Sequence, residues 1–132
     1  MTDLLTPDLL TAARAAAAAA YVPYSRFRVG AAVLADGQIY TGCNVENASY
    51  GLTIFAERNA IFAAIVAGHR RIDAIALACV DAAADAAPGS LMPCGACRQV
   101  MAEFAPPGLT VHIDRAGSTT LAALLPNAFR LT

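Results

Sequence analysis

Pro93-Cys94-Gly95-Ala96-Cys97-Arg98-Gln99-Val100 opens a helix with two thiols one turn apart. Cysteines at i and i+3 of a first helical turn point to the same side. The orphan N–H groups of that turn favour thiolate, the form that binds metal. Pro93 agrees with this reading, because proline is tolerated just before or at the start of a helix. Upstream, Ala56-Glu57-Arg58 sets a carboxylate on the first turn of another helix. Taken alone, C-x-x-C leaves a zinc site, a thioredoxin-like redox pair and coincidence all open. Glu57 alone reads equally well as a first-turn acid favoured by the helix dipole.

Outward from these two segments the pattern alternates between strand and helix. Toward the start of the chain, Thr6-Pro7-Asp8 supplies a helix N-cap, a proline at the first helical position and a first-turn acid, with helix formers continuing to about Ala20. Pro23 ends that helix. Residues 28–34 and 38–43 read as strands around Asp36-Gly37, a two-residue hairpin signal that makes them antiparallel neighbours. Ile54, Arg58, Ile61, Phe62 and Ile65 recur at helical spacing up to about Ala67, and Gly68 stops the helix. The apolar run 72–80 suits a buried strand, and a loop rich in Ala, Asp, Pro and Gly follows it to Pro93. A helix from Cys94 to about Phe104, a strand over 109–113 and a short helix over 121–125 complete the pattern. Ser118-Thr119-Thr120 is a candidate for one further strand. A hairpin followed by strand-helix-strand-helix-strand predicts a mixed sheet with helices on its faces.

Composition bounds the answer independently. A chain of 132 residues is expected to form one domain, 1–132, with roughly two-thirds of its unfolded surface buried. The net charge of -1 gives no basic footprint for nucleic acid, and a small neutral ligand is easier to accommodate. Hydrophobic residues make up 58% of the chain, above the roughly 45–50% usual for globular domains, and the alanine-rich excess suggests subunit interfaces. Met1-Thr2-Asp3-Leu4-Leu5 lacks the bases of a secretory signal, and the alanine run 15–20 is far short of a membrane helix. The expectation is a cytoplasmic protein, and the 4 cysteines fit a reducing compartment better than a disulfide framework. Cys43 and Cys79 fall in expected strands, where a buried apolar cysteine is the usual outcome.

Five blocks in order, from Tyr21 to Phe129, carry a resemblance. They are Tyr21-Val22-Pro23-Tyr24-Ser25-Arg26-Phe27-Arg28-Val29-Gly30-Ala31-Ala32, then Thr41-Gly42-Cys43-Asn44-Val45-Glu46-Asn47-Ala48-Ser49-Tyr50-Gly51-Leu52-Thr53, Ala56-Glu57-Arg58, the cysteine segment, and Leu124-Leu125-Pro126-Asn127-Ala128-Phe129. Together they resemble the small homotetrameric cytidine deaminases. The resemblance implies an α/β fold of three layers, a mixed five-stranded sheet flanked by helices, with both metal-site helices on one side. It implies hydrolytic deamination of cytidine or deoxycytidine in pyrimidine salvage, by a zinc-activated water with Glu57 as the proton shuttle. Cys94 and Cys97 match two zinc ligands, and Arg58 matches an arginine that hydrogen-bonds the zinc thiolates. Phe27 matches the residue that stacks on the pyrimidine, Asn44 and Glu46 match residues that hold the ribose hydroxyls, and Ala56 belongs to the same pocket. Tyr50 and Phe129 match residues that reach a neighbouring subunit's site.

One position departs from the pattern. The family's third zinc ligand stands two residues before the glutamate, where this chain has Phe55, whose ring offers zinc nothing. That substitution keeps three functions in view. The first is a working deaminase with a small pyrimidine nucleoside as partner, and the second is a nucleoside-binding homologue or engineered variant without turnover. The third is a dithiol redox protein built on Cys94 and Cys97. His69 and His112 match no ligand.

Overall fold

In the computed structural model, residues 2–131 are described, with side chains described from Asp8 onward. Among the described residues nine regular elements follow one another as α1 (Thr2–Ala17), β1 (Val29–Ala35), β2 (Gln38–Cys43), α2 (Ala56–Val66), β3 (Ala74–Cys79), α3 (Gly95–Phe104), β4 (Thr110–Ile113), β5 (Gly117–Thr120) and α4 (Leu121–Leu124). One-turn 3-10 helices at Tyr50–Leu52 and Pro88–Leu91 interrupt the long loops. Helix α1 is already formed at Thr2, a turn before the start expected at Thr6-Pro7, and the N-cap role expected of Thr6 lies outside the described side chains. At its other end α1 stops at Ala17. The chain then tightens into i→i−3 bonds, from the N–H groups of Ala18, Ala19 and Ala20 to the carbonyls three residues back.

The five strands pair in the order β2-β1-β3-β4-β5. All pairs are antiparallel except β3 with β4, whose parallel register needs the α3 crossover between them. Asp36 and Gly37 both take left-handed backbone angles, φ 50 and 76, which is the geometry a two-residue hairpin requires. The further strand suspected around Ser118-Thr119-Thr120 is β5, held against β4 by pairing Thr110 with Thr120 and Ile113 with Gly117.

Two apolar clusters, one on each face of the sheet, make three layers. Leu9, Ala13, Ala32, Leu34, Ala74, Ala76 and Ala78 pack α1 against one face. Residues such as Val33, Ile61, Ile75, Met101, Val111 and Leu121 join α2, α3 and α4 to the other. Alternation along β1 thus serves both clusters, and its interior is buried on both sides. Small residues set the spacing. A Cβ added at Gly30 would run into the carbonyl of Ala13 and lie 2.6 Å from the nitrogen of Ala17, and one at Gly42 would lie 2.6 Å from the carbonyl oxygen of Ala56. Both helices therefore rest with backbone almost on backbone. The buried face of α2 is consequently Ala56, Glu57, Ala60, Ile61 and Ala64. Phe62, expected in the apolar stripe, is exposed, and Ile54 precedes the helix and bridges to Val45 instead. Bulk at position 62 cannot serve where the contact demands alanine. Cys43 and Cys79, expected to be buried, are half-buried because each ends its strand at the rim of the sheet.

Candidate active site

The N-termini of α2 and α3 converge beside the ends of β1, β2 and β3, so two sets of unpaired helical N–H groups face one place. Phe55 is the N-cap residue of α2 and Cys94 that of α3, each with extended backbone, and neither side chain caps its helix. Between them lies a cleft of about 270 Å³, whose lining includes Phe27, Asn44, Phe55, Ala56, Glu57 and Cys94. A hollow of about 420 Å³, lined by Tyr24, Ser25, Glu46, Tyr50, Thr53 and Phe55, adjoins it. Ser25, Glu46 and Phe55 belong to both cavities.

Glu57 is 4% exposed at the floor of the cleft. Burial pushes its carboxyl above the usual carboxylate range, opposed by its own backbone N–H, by the Cys97 thiol and by the Arg58 charge. Cys97 is fully buried behind the cleft, and burial together with Glu57 and Cys94 pushes its thiol upward. Cys94 is exposed. Cys79 stands on the cleft floor with its thiol pushed up to about 11, first by burial and then by Glu57. A divalent cation in this place would reverse that balance, since coordination deprotonates a thiol outright.

Among the described residues there is no group of three or more His, Cys, Asp or Glu side chains able to hold a metal ion. Cys94 and Cys97 supply two sulfur donors, and the residue on the opposite helix cap is Phe55. The residues present therefore do not make the closed-on-three-sides site that a catalytic zinc requires. Phe55 is 38% exposed, and its ring centroid lies 4.9 Å from the guanidinium carbon of Arg58, one turn further along α2. Arg58, expected to bond the thiolates, stacks on this ring, and its buried Nε has no hydrogen-bond partner among the described residues. The ring thus turns toward the cleft and Arg58 and away from the apolar core.

On the opposite wall, the pKa of the Glu46 carboxyl is lowered by the Ser25 hydroxyl and the backbone N–H groups of Ser25 and Tyr24. Asn44 is buried. Its amide donates to the Phe27 carbonyl at 2.8 Å and its oxygen accepts from the Val29 N–H at 2.9 Å, so it fixes the backbone on either side of Arg28, just after Phe27. Tyr50 stands edge-on to Tyr24 across the adjoining hollow of its own chain, with centroids 6.3 Å apart. Phe129 is 69% exposed, and the fold does not bring its ring to the cleft of its own chain. His69 and His112 are tied elsewhere, to Asp36 and Tyr40 and to Ser118.

Five lining residues escaped the sequence reading: Ser25, Val29, Leu77, Cys79 and Ser90. Ser25 and Val29 lie within the 21–32 segment that carries the resemblance, and so were within reach. Leu77 and Cys79 look like any buried strand, and only the pairing of β3 beside β1 brings them to the cleft floor.

A family model described as "Cytidine and deoxycytidylate deaminase zinc-binding region" matches residues 6–113. A cytidine deaminase of Sporosarcina psychrophila is 47% identical over 126 residues, which cover 92% of this chain and 88% of that protein. One of Mycobacterium tuberculosis is 52% identical over 118 residues, covering 88% and 83% respectively. A crystal structure of a cytidine deaminase from Burkholderia pseudomallei superposes with a TM-score of 0.81 at 46% identity, covering 94% of this chain and 98% of that one.

Proposed function

Because the chain belongs to the cytidine and deoxycytidylate deaminase zinc-binding family, we propose that its cleft takes a pyrimidine nucleoside and that its reaction is hydrolytic deamination, cytidine or deoxycytidine plus water giving uridine or deoxyuridine plus ammonia. The observation that carries this reading is the buried Glu57 carboxyl, set on a helix N-terminus at the floor of a nucleoside-sized cleft. Burial raises the proton affinity of this carboxyl, which favours its taking a proton from the attacking water. In this reading Glu57 takes a proton from the attacking water, delivers it to N3 of the pyrimidine, and later helps the amine leave as ammonia. Phe27 offers its ring to the base and Glu46 its acceptor-only carboxylate to a sugar hydroxyl, while Asn44 and Ala56 complete the pocket wall.

Zinc is the metal of this family. We assign Cys94 and Cys97 to it and read Phe55 as occupying the position of the missing third ligand, so that zinc is held more weakly than by three ligands. Loss of a mere outer-shell partner costs about 10–100-fold in affinity or activity, and loss of a ligand costs more. Phe55 therefore supports a second reading, a nucleoside binder with little turnover. The deciding measurement is uridine formation from cytidine by the purified protein and by its Glu57→Gln form. Glu57→Gln is expected to remove about 10²–10⁴-fold of the activity while leaving nucleoside binding within about tenfold. Turnover that survives this substitution undiminished would remove Glu57 from its role, and a parent that binds cytidine without any turnover would establish the second reading.

The assembly we propose is a homotetramer with ligand sites at subunit contacts. Phe129, Tyr50, Leu52, Phe62 and Val66 are large apolar residues exposed on the single chain. Phe129 is free to complete a neighbour's cleft.

A further inference from the structure

Residues 21–28 run between α1 and β1 with only a single bridge, Tyr21 to Val45, and the backbone N–H groups of Tyr24, Ser25, Phe27 and Arg28 all donate to side chains. Tyr24 and Ser25 donate their N–H groups to Oε1 of Glu46, both at 3.1 Å. Phe27 donates to Oγ of Ser25 at 3.0 Å, Arg28 to Oδ2 of Asp81 at 2.8 Å, and Val29 to Oδ1 of Asn44 at 2.9 Å. Ser25 is the one residue of the stretch that stands on both sides of this account. Its hydroxyl donates to Oε2 of Glu46, and the same oxygen accepts from the Phe27 N–H.

We propose that Ser25 is a positioning residue for nucleoside binding, its hydroxyl linking the carboxylate of Glu46 to the main chain of Phe27 so that the sugar-facing and base-facing groups keep one fixed separation. The inference rests on the assignment of Phe27 to the base and Glu46 to the sugar. A glutamate at the mouth of an open cleft has three freely turning dihedrals, and two backbone N–H groups and one hydroxyl confine it to a single arrangement. With both oxygens already accepting, what remains for a ligand is one directed acceptor, suited to a hydroxyl donor. Between Ser25 and Phe27, Arg26 holds a left-handed backbone at φ 56, unusual for a residue other than glycine. Such a conformation persists where surrounding bonds over-determine it, and the Ser25 hydroxyl together with the Arg26 N–H bond to the Val22 carbonyl at 2.9 Å does so here. Phe27 thereby emerges from the turn with its ring on the cleft wall.

The test measures equilibrium binding of cytidine and of 2′,3′-dideoxycytidine, which lacks the sugar hydroxyls that would face Glu46. All proteins carry Glu57→Gln, so that ligand is not consumed. Ser25→Ala is expected to weaken cytidine about tenfold and dideoxycytidine by no more than about threefold, while Ser25→Thr, which retains the hydroxyl, stays within about threefold of the parent for both. Thermal melting checks that each variant is folded. A parent that fails to bind cytidine overturns the assignment of the cleft, and the inference with it. A parent that binds, with Ser25→Ala matching it within twofold, overturns the role of Ser25 alone. Equal loss for the two nucleosides, or a folded Ser25→Thr protein that recovers nothing, also overturns it, because a loop that merely collapses does not distinguish a ligand by its hydroxyls.

Discussion

Phe55 and Arg58 sit one helical turn apart, with the guanidinium carbon 4.9 Å from the centre of the ring. An arginine whose buried Nε finds no acceptor among the described residues keeps a cation beside the cleft. The negative face of an aromatic ring offsets part of that charge, where a thiolate at the same position would offset it more fully. Phe55→Cys should therefore act twice, adding a third sulfur donor and returning to Arg58 an anionic neighbour. The expected outcome is a rise to about one tightly held zinc per chain, with cytidine turnover up by orders of magnitude. Metal analysis of protein purified without chelator, alongside uridine formation, checks both. A parent already holding one tight zinc and turning over as fast as the variant would show that Phe55 impairs nothing.

Helix-to-sheet spacing is set by two glycines, and each strand pairing carries the site with it. Gly30 faces the backbone of α1, so Gly30→Ala must displace the helix or the strand, an overpacking cost of about 1–3 kcal/mol. Gly108, with open space around it, is the control, and Gly108→Ala should change stability by less than about 0.5 kcal/mol. Denaturant unfolding of the two variants separates packing from any general penalty of replacing glycine. A second element-level contact joins the entry of β1 to the exit of β3. Arg28 donates from its backbone and its side chain to Asp81, which holds that carboxyl at about 2, below its ordinary 3.8. Because the folded-state value is the lower one, this contribution is present above about pH 4 and is lost as pH falls toward 2. Asp81→Asn should accordingly destabilise the protein at neutral pH, with the difference from the parent shrinking across that window. Unfolding measured from pH 6 to pH 2 checks the sign, and a difference that grows on acidification would be incompatible with it.

At the scale of the whole molecule, the exposed apolar residues bear on assembly. Phe129 has no place in the cleft of its own chain, and Tyr50 stands 76% exposed at the edge of the adjoining hollow. If neighbouring chains supply the missing cover, sedimentation should give a tetramer, and Phe129→Ala should weaken cytidine binding without lowering the melting temperature of the dissociated chain. A stable monomer that binds cytidine normally would refute the assembly. Among the described residues no helix is long and apolar enough to cross a membrane, in line with the short alanine run in α1.

Local chemistry in the chain was enough to indicate most of the elements. The Asp36-Gly37 pair readily takes the left-handed angles that a two-residue hairpin needs, the cysteine segment after Pro93 opens a helix, and the apolar run before it has the length of a buried strand. The ordered blocks from Tyr21 to Phe129 likewise brought Phe27, Asn44, Glu46, Ala56, Glu57 and Cys94 into one reading, and the fold brings all of them to one cleft. What periodicity could not supply was the buried face of α2, because hydrophobic spacing weighs Phe62 above Ala60, whereas close approach to Gly42 admits only the smaller residue. Nor could it place Leu77 and Cys79 beneath the cleft, or reveal that Phe55 turns to Arg58 instead of the core. Those outcomes depend on which helix crosses which strand and at what distance, and a chain fixes such distances only when its distant parts pack together.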